Sequence, residues 1–179
     1  MMRALSTLSL AAVMLIGLAA PTFAQDPKSA GPAKQLAELL AARKLDSYAI
    51  RLQEGGDEFA GVLSFPGQMI VVWAKFAAPA VLNERLINQQ YREVYIDLNS
   101  ASDPATRHMV TDLGADGLNR GEKNQPSDSH DFNGKSMVFD GSWREDKMSE
   151  DDYDKAHMES DAAYAQVLEA MVAQLKKAS

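Results

Sequence analysis

The sequence predicts an α+β fold, with a mostly antiparallel sheet of about six strands and N-terminal, middle and long C-terminal helices. Three segments repeat apolar residues at the i, i+3, i+4 spacing of an amphipathic helix. Six shorter segments have strand-like patterns, and hairpin turn signals join several of them, so antiparallel pairing is expected to dominate. The elements run α-β-β-β-α-β-β-β-α, with no internal repeat.

The first half of the chain predicts one helix and a three-stranded meander. The helix covers residues 33–44, where Leu36, Leu39 and Leu40 share one face. The third strand of the meander is apolar on both faces, which is typical of the most buried strand. The meander strands are 47–53, 58–65 and 68–76, joined by turns at Gly55-Gly56 and Pro66-Gly67.

The second half predicts a middle helix and three further strands. Pro79 opens this helix, which runs to about residue 89 with Val81, Leu82 and Leu86 as its inner stripe. A long polar, glycine-rich loop follows the second of the three strands, and Asn133-Gly134 is a strong hairpin signal. The first two are 91–98 and 107–113, the loop is 114–129, and the third is a hairpin of 131–132 with 135–140, counted here as one element.

The last predicted helix is the longest element. Ser149 with Asp152 three residues later resembles a capping box, and Lys176 and Lys177 lie where the helix dipole favours positive charge. The residues that recur at helical spacing are Tyr153, Ala156, Ser160, Tyr164, Val167, Leu168, Met171 and Leu175.

Residues 1–24 have the pattern of a cleavable secretory signal peptide. Arg3 provides the positive start, residues 5–20 are uncharged and largely apolar, and the small residues around Phe23 predict cleavage after Ala24. A membrane anchor is the alternative, but the apolar run is shorter than the roughly 20 residues that span a bilayer. We expect a flexible spacer at 25–32 and a single α+β domain at 33–179, periplasmic or secreted and without a membrane anchor after cleavage.

The acidic composition of the chain and its lack of cysteine exclude some classes of partner and chemistry. After cleavage the chain has 17 Lys and Arg against 25 Asp and Glu, a net charge near −8. Nucleic acids and anionic membranes select basic surfaces, so neither is an expected partner. The chain has no cysteine, so it has no disulfide, no thiol nucleophile and no cysteine–zinc site.

The order of elements over about half of the chain resembles the pyridoxamine phosphate oxidase-like proteins, which are FMN-binding split barrels. The matching parts are 33–44, 47–76, 80–89 and 91–98. The segments YREVYIDLNSAS and TDLGADGL are also similar to uncharacterised exported bacterial proteins. The resemblance implies a split-barrel-like sheet, a flavin cofactor and a homodimer. The family grips the flavin phosphate with an Arg/Lys-rich strand, and this chain departs from that pattern because Lys75 is the only basic residue of 68–76.

Several polar residues suggest chemistry without completing a known motif. The segment that starts at Asp112 resembles a calcium loop, but Gly114 and Lys123 occupy positions that need acids, so we interpret it as a turn. His108 and Asp112 share a strand face and could form an imidazole–carboxylate pair. His130, placed in the flexible loop, could be a metal ligand, whereas we interpret His157 as a helix-face residue. We predict no catalytic residues and no metal site.

The aromatic and polar residues of the predicted sheet are the candidates for ligand binding. Tyrosine and tryptophan have apolar rings with a polar tip and often line ligand clefts. Burial under the final helix is the alternative explanation for these aromatic residues. The predicted ligand-binding residues are Trp73, Lys75, Tyr91, Tyr95, His108 and Asp112.

These observations favour an exported domain that binds a small ligand or a protein partner without catalysis. One alternative is a split-barrel flavin- or haem-binding protein or oxidoreductase. Another is an interaction protein whose final helix and one sheet edge dimerise or dock on an envelope partner. The identity of any cofactor and the oligomeric state stay open at this point.

Overall fold

A computed structural model describes residues 26–50, 58–75, 83–88, 93–97, 107–132, 135–142 and 147–178. Within these residues it contains two helices, α1 (Ala30–Ala42) and α2 (Glu150–Lys177). The strands are β1 (Ser47–Ile50), β2 (Glu58–Phe65), β3 (Gln68–Lys75), β4 (Asn83–Asn88), β5 (Glu93–Asp97), β6 (Arg107–Leu113), β7 (Ser129–Phe132) and β8 (Lys135–Val138). The predicted α+β class is confirmed.

Six of the strands form one open antiparallel sheet in the order β1-β2-β3-β6-β7-β8. The β1–β3 meander and the β7–β8 hairpin pair as the sequence predicts. β6 pairs with β3 from Gln68↔Leu113 to Ala74↔Arg107, so the most apolar strand lies inside the sheet. Among the described strands, β1 and β8 are therefore the two outer strands of this six-stranded sheet.

The predicted middle helix is wrong for Asn83–Asn88. These residues are β4, which pairs antiparallel with β5 in a separate two-stranded sheet, with Arg85 opposite Tyr95. The stripe that suggested a helix rests on Leu86 and on Val81 and Leu82, which lie outside the described residues. Pairing with the neighbouring strand outweighs this short helical pattern, because strand formation depends on the partner strand more than on local propensity.

The two helices and one face of the six-stranded sheet form a single core. α1 buries Ala33, Leu36 and Leu40, and these residues join the α2 side chains in one hydrophobic cluster. The sheet contributes side chains at alternate positions, which is the spacing of one face. The sheet members of the cluster are Ala60, Val62, Met69, Val71, Trp73 and Val110.

The start of α2 is set by Ser149, as the sequence predicts. The Ser149 hydroxyl accepts a hydrogen bond from the backbone N–H of Asp152 at 3.1 Å and donates one to the Asp152 carboxylate at 2.6 Å. The first turn carries Glu150 and Asp151 as well, and the last carries Lys176 and Lys177. Both ends therefore complement the helix dipole. No helix among the described residues is long and apolar enough to cross a membrane.

The long loop between β6 and β7 passes close to the start of α1 at Gly117. This residue has a φ of +101°, and a Cβ placed on it would lie 2.6 Å from the backbone nitrogen of Ala30. Glycine fits this position because it adopts a positive φ without strain and has no Cβ to clash with Ala30.

We expect Gly117→Ala to lower the free energy of unfolding by about 2 kcal/mol, because it adds backbone strain and a contact with rigid backbone. Gly31→Ala is the matched control, since a Cβ there meets nothing within 4 Å. Its stability should stay unchanged or rise by up to about 1 kcal/mol. Urea denaturation measures both variants, and equal losses would contradict the close packing of the loop on α1.

Candidate functional site

The register of the central strands brings Trp73 and His108 together on the helix-facing side of the sheet. Trp73 of β3 lies opposite Ala60 of β2 on one side and opposite His108 of β6 on the other. His130 of β7 lies opposite Val110, two residues beyond His108. Because side chains alternate along strands, these groups share the face that packs against α2.

Trp73 forms a three-ring cluster with the two histidines. Its ring centroid is 5.3 Å from that of His108 and 5.2 Å from that of His130. The two imidazole centroids are 6.1 Å apart. His130 is fully buried, and it lies in β7 rather than in the flexible loop that we predicted, because β7 begins at Ser129.

A cavity of about 360 Å³ lies beside Trp73 and His108, between the sheet and α2. This volume falls in the lower part of the range for small-molecule sites. The sheet wall is formed by Glu58, Trp73, Ala74 and His108, and the helix wall by Ala163, Gln166, Val167 and Ala170.

Small side chains on α2 leave this space open. The four helix-wall residues follow the i, i+3, i+4, i+7 spacing of one helix face, and two of them, Ala163 and Ala170, are alanines. A larger side chain at either alanine would extend toward the sheet wall. The cavity therefore follows from two small residues on the inner face of a long helix.

The histidines near the cavity are held in the neutral form by their surroundings. Burial lowers the pKa of His108, while the nearby carboxylate of Glu58 acts in the opposite direction. Burial, followed by repulsion from His108, lowers the pKa of His130 to about 4, against the attraction of Asp131. At neutral pH the neutral imidazole of His108 therefore lies beside the Glu58 carboxylate in the described part of the sheet wall.

We expect His130→Leu to gain stability relative to the wild type by about 2 kcal/mol as the pH falls from 7 to about 4.5. The pKa of His130 is lower in the folded protein than its model value of 6.5, so the unfolded chain takes up a proton first and acid weakens the wild-type fold. Leucine removes this proton uptake. Urea denaturation of both proteins at each pH measures the difference between their free energies of unfolding. Groups that titrate in the same way in both proteins contribute equally and cancel from this difference. A stability difference that is constant with pH would contradict the burial of a neutral imidazole.

Asp112 lies on the same strand face as His108 but at a different site. The two residues are four positions apart on β6, which corresponds to about 13 Å along a strand. Asp112 accepts hydrogen bonds from the Tyr164 hydroxyl at 2.9 Å and from the backbone N–H groups of Asp116 and Gly117. The structure therefore does not bring His108 and Asp112 together as an imidazole–carboxylate pair.

The carboxylate of Asp112 belongs to a buried network that pins the β6–β7 loop to the helices. Burial raises the pKa of Asp112 and that of Asp128 to about 6, although their hydrogen bonds oppose the shift. Asp128 accepts hydrogen bonds from the N–H groups of Leu113 at 2.7 Å and Asn119 at 2.6 Å. These bonds close the loop, so the former calcium-loop candidate is a turn, as we interpreted it.

The same network reaches the start of α1. The Ser29 hydroxyl donates to the Asp161 carboxylate at 2.6 Å and accepts from the backbone N–H of Leu118 at 2.8 Å. His157 contacts the carbonyl oxygen of Leu118 through Nε2 at 2.9 Å, so it is a buried residue of the inner helix face. Sequence reasoning missed the roles of Ser29 and Asp161. One signal in the sequence could have revealed Asp161. It lies three residues before Tyr164, so the helical spacing places this acidic residue on the inner, apolar face of α2.

The remaining predicted ligand-binding residues are not among the described lining of the cavity, or they lie outside the described residues. Lys75 is the last residue of β3 and lies opposite Glu58 in the register, but its side chain is outside the described residues. Tyr91 also lies outside them. Tyr95 belongs to β5 of the two-stranded sheet. Of the six predicted residues, the structure places Trp73 and His108 at the cavity.

A larger groove of about 900 Å³ lies between α1 and the β2–β3 turn. It is lined by surface residues and turn backbone, whereas the smaller cavity combines an aromatic ring, an imidazole and a carboxylate. We therefore take the smaller cavity as the candidate site. The groove is lined by Ala30, Gly31, Lys34, Ala37, Glu38, Ala41, Lys44, Leu45, Asp46, Ser64, Phe65, Pro66, Gly67, Gly114, Ala115 and Asp116.

The described lining of the cavity lacks the basic side chains that would bind the flavin phosphate implied by the family resemblance. Binding of a flavin phosphate requires basic side chains or a cluster of N–H donors. The lining residues that the structure describes include no lysine or arginine. Among the described residues, no group of three or more histidine, aspartate or glutamate side chains could hold a metal ion.

Comparisons with known proteins found no matching family model, no matching curated protein and no matching solved structure.

Proposed function

We propose that this protein is an exported domain that binds a small molecule without catalysis, in the cavity between Trp73, His108 and α2. The cavity itself is the observation that carries the proposal. It joins an aromatic wall, an apolar helix face and a few polar groups, which is the usual composition of a small-molecule site. Its two walls belong to regular elements, so the site is formed before the ligand arrives.

The polar groups of the cavity determine which functional groups a ligand needs. Gln166 supplies both a donor and an acceptor, and the Glu58 carboxylate and the His108 imidazole are the other polar groups of the described lining. Trp73 and Val167 supply apolar contact. A ligand with an apolar body and one or two polar groups satisfies this set.

Filling the cavity from the helix side tests the proposal. A panel of small fragments should raise the Tm of the wild-type protein, and Ala163→Leu should abolish the shifts because leucine occupies the cavity. Ala173→Leu is the matched control, since Ala173 lies on the exposed face of the same helix. Fragment shifts that survive in Ala163→Leu, or their absence in the wild type, would overturn the proposal.

Export is supported by the apolar, uncharged stretch of residues 5–20 and by the small residues before Gln25. When the full chain is expressed in a Gram-negative bacterium, the mature protein should begin at Gln25 and be recovered from the periplasmic fraction. Mass spectrometry of the purified protein reads the new amino terminus. An intact Met1 on cytosolic protein would overturn the export part of the proposal.

A further inference from the structure

We propose that the buried carboxylates of Asp112 and Asp128 form a proton-operated latch, which holds the β6–β7 loop in place more tightly at acidic than at neutral pH. The inference concerns the loop at residues 114–128 and does not depend on the proposed ligand cavity. Residues 114–116 of this loop form one wall of the larger groove beside α1, so the latch also determines how firmly that wall is held.

The two carboxylates lie at the two ends of the loop and bind its backbone from both sides. Asp112, near the end of β6, accepts hydrogen bonds from the N–H groups of Asp116 at 3.1 Å and Gly117 at 3.0 Å. Asp128, just before β7, accepts one from the N–H of Asn119 at 2.6 Å. A loop that moves away takes these N–H groups with it and lets water reach both carboxylates.

Both carboxylates are buried among groups that do not neutralise their charge. Asp112 is 0% exposed and Asp128 is 4% exposed. Within the described part of the chain, every group that hydrogen-bonds to either of them is an uncharged N–H or hydroxyl. The charge of Asp128 opposes the ionisation of Asp112, and the charge of Asp116 opposes that of Asp128. Like charges in a buried site favour the uptake of a proton.

The closed loop therefore binds protons more tightly than the open loop does. In the closed state, burial raises the pKa of both carboxyl groups to about 6. In an open loop, the solvated carboxyl groups return toward their ordinary pKa of 3.8. Opening between about pH 4 and about pH 6 releases protons, so acid favours the closed loop. This stabilisation is lost as the pH rises through about 6.

Three titratable groups of α2 face the loop or its anchors. The Tyr164 hydroxyl lies 2.9 Å from Asp112 and accommodates its proton, because a hydroxyl can accept a hydrogen bond as well as donate one. Asp161 reaches the loop through the Ser29 hydroxyl. His157 contacts a loop carbonyl oxygen and acts in the opposite direction, since burial lowers its pKa. One imidazole offsets only part of the effect of two carboxyl groups.

The basic residues of the loop are engaged at the surface. Arg120 forms an ion pair with Asp154 of α2 at 2.7 Å, and both side chains are exposed by about two fifths. Lys123 is exposed, and its charge acts on Asp140, which follows β8. The positive charges of the loop therefore leave the two buried carboxylates to be neutralised by protons.

Hydrogen exchange of the loop amides across the pH range tests the latch in the purified protein. Each rate is divided by the intrinsic exchange rate at the same pH. The protection of the amides that bond to the two carboxylates should fall by about tenfold or more as the pH rises from about 4.5 to about 6.5, and then level off.

Substitutions of the two carboxylates identify the groups responsible. Asp112→Asn and Asp128→Asn should each reduce the change in protection with pH, because asparagine takes up no proton in this range. The double variant should abolish the change or, through His157, reverse it. Asp46→Asn is the matched control, since it removes the same charge from an exposed position and should keep the wild-type profile.

The wild-type profile alone is sufficient to overturn the proposal, even where a variant fails to fold. Protection of the loop that is constant with pH, or that rises toward neutral pH, would contradict the latch. An unchanged profile in the double variant would assign the effect to other groups and would also contradict it. The loop amides should be less protected than the amides of β3, because the latch opens without unfolding of the sheet. Equal protection would mean that the loop opens only when the whole domain unfolds, and the proposal would be wrong.

Discussion

Replacing Leu168 with alanine is expected to lower the free energy of unfolding by about 3 kcal/mol. Leu168 is a fully buried residue of α2, in the cluster that joins both helices to the sheet. Its truncation removes apolar contacts and leaves a cavity that the surrounding core fills only in part. Urea denaturation of the purified variant measures the loss.

The adjacent residue supplies the control for this prediction. Glu169 lies on the exposed side of α2, so Glu169→Ala should change the free energy of unfolding by no more than about 0.5 kcal/mol. The contrast between two neighbouring positions tests which face of the helix is inside. Similar effects at Leu168 and Glu169 would mean that α2 does not pack on the sheet as described.

Replacing Asp112 with alanine is expected to lower the free energy of unfolding by about 3 kcal/mol, because three donors lose their acceptor at once. These donors are the Tyr164 hydroxyl and the backbone N–H groups of Asp116 and Gly117. Tyr164 is fully buried and so has no access to water as a substitute. The same denaturation experiment measures this variant.

The comparison with Asp112→Asn separates hydrogen bonding from charge. Burial raises the pKa of Asp112 to about 6, so ionisation at neutral pH carries a cost that asparagine avoids, while its carbonyl oxygen keeps one acceptor. We expect about half the loss of the alanine variant. In a double-mutant cycle, Tyr164→Phe should lose less stability on the Asp112→Ala background than alone. Full additivity would show that the two side chains do not interact.

Local patterns were sufficient to predict most of the strands and both described helices. The predicted strand 107–113 coincides with β6. Its side chains alternate between two faces and a turn-rich segment follows it, and both features can be seen in the local sequence. The start of α2 depends on Ser149 and Asp152, three residues apart, and was also predicted. The middle helix failed because the competing partner of Asn83–Asn88 is a neighbouring strand, which a helical pattern does not reveal.

The candidate site could be predicted only in part, because its walls come from distant parts of the chain. Trp73 and His108 were named from their residue types, and the strand register brings them together. The helix wall that begins at Ala163 was missed, since alanines on a helix carry no chemical signal. The link between Ser29 and Asp161 spans 132 positions and becomes visible only once α1 packs on α2.

NMR of the two tryptophan indoles tests the central claim, the presence of a ligand site beside Trp73, most directly. In protein labelled at tryptophan, Trp143→Phe assigns the two indole N–H signals. Titration with any fragment that raises the Tm should shift the Trp73 signal in proportion to occupancy. A ligand that binds by calorimetry without moving the Trp73 signal would show that the cavity between the sheet and α2 is not the binding site.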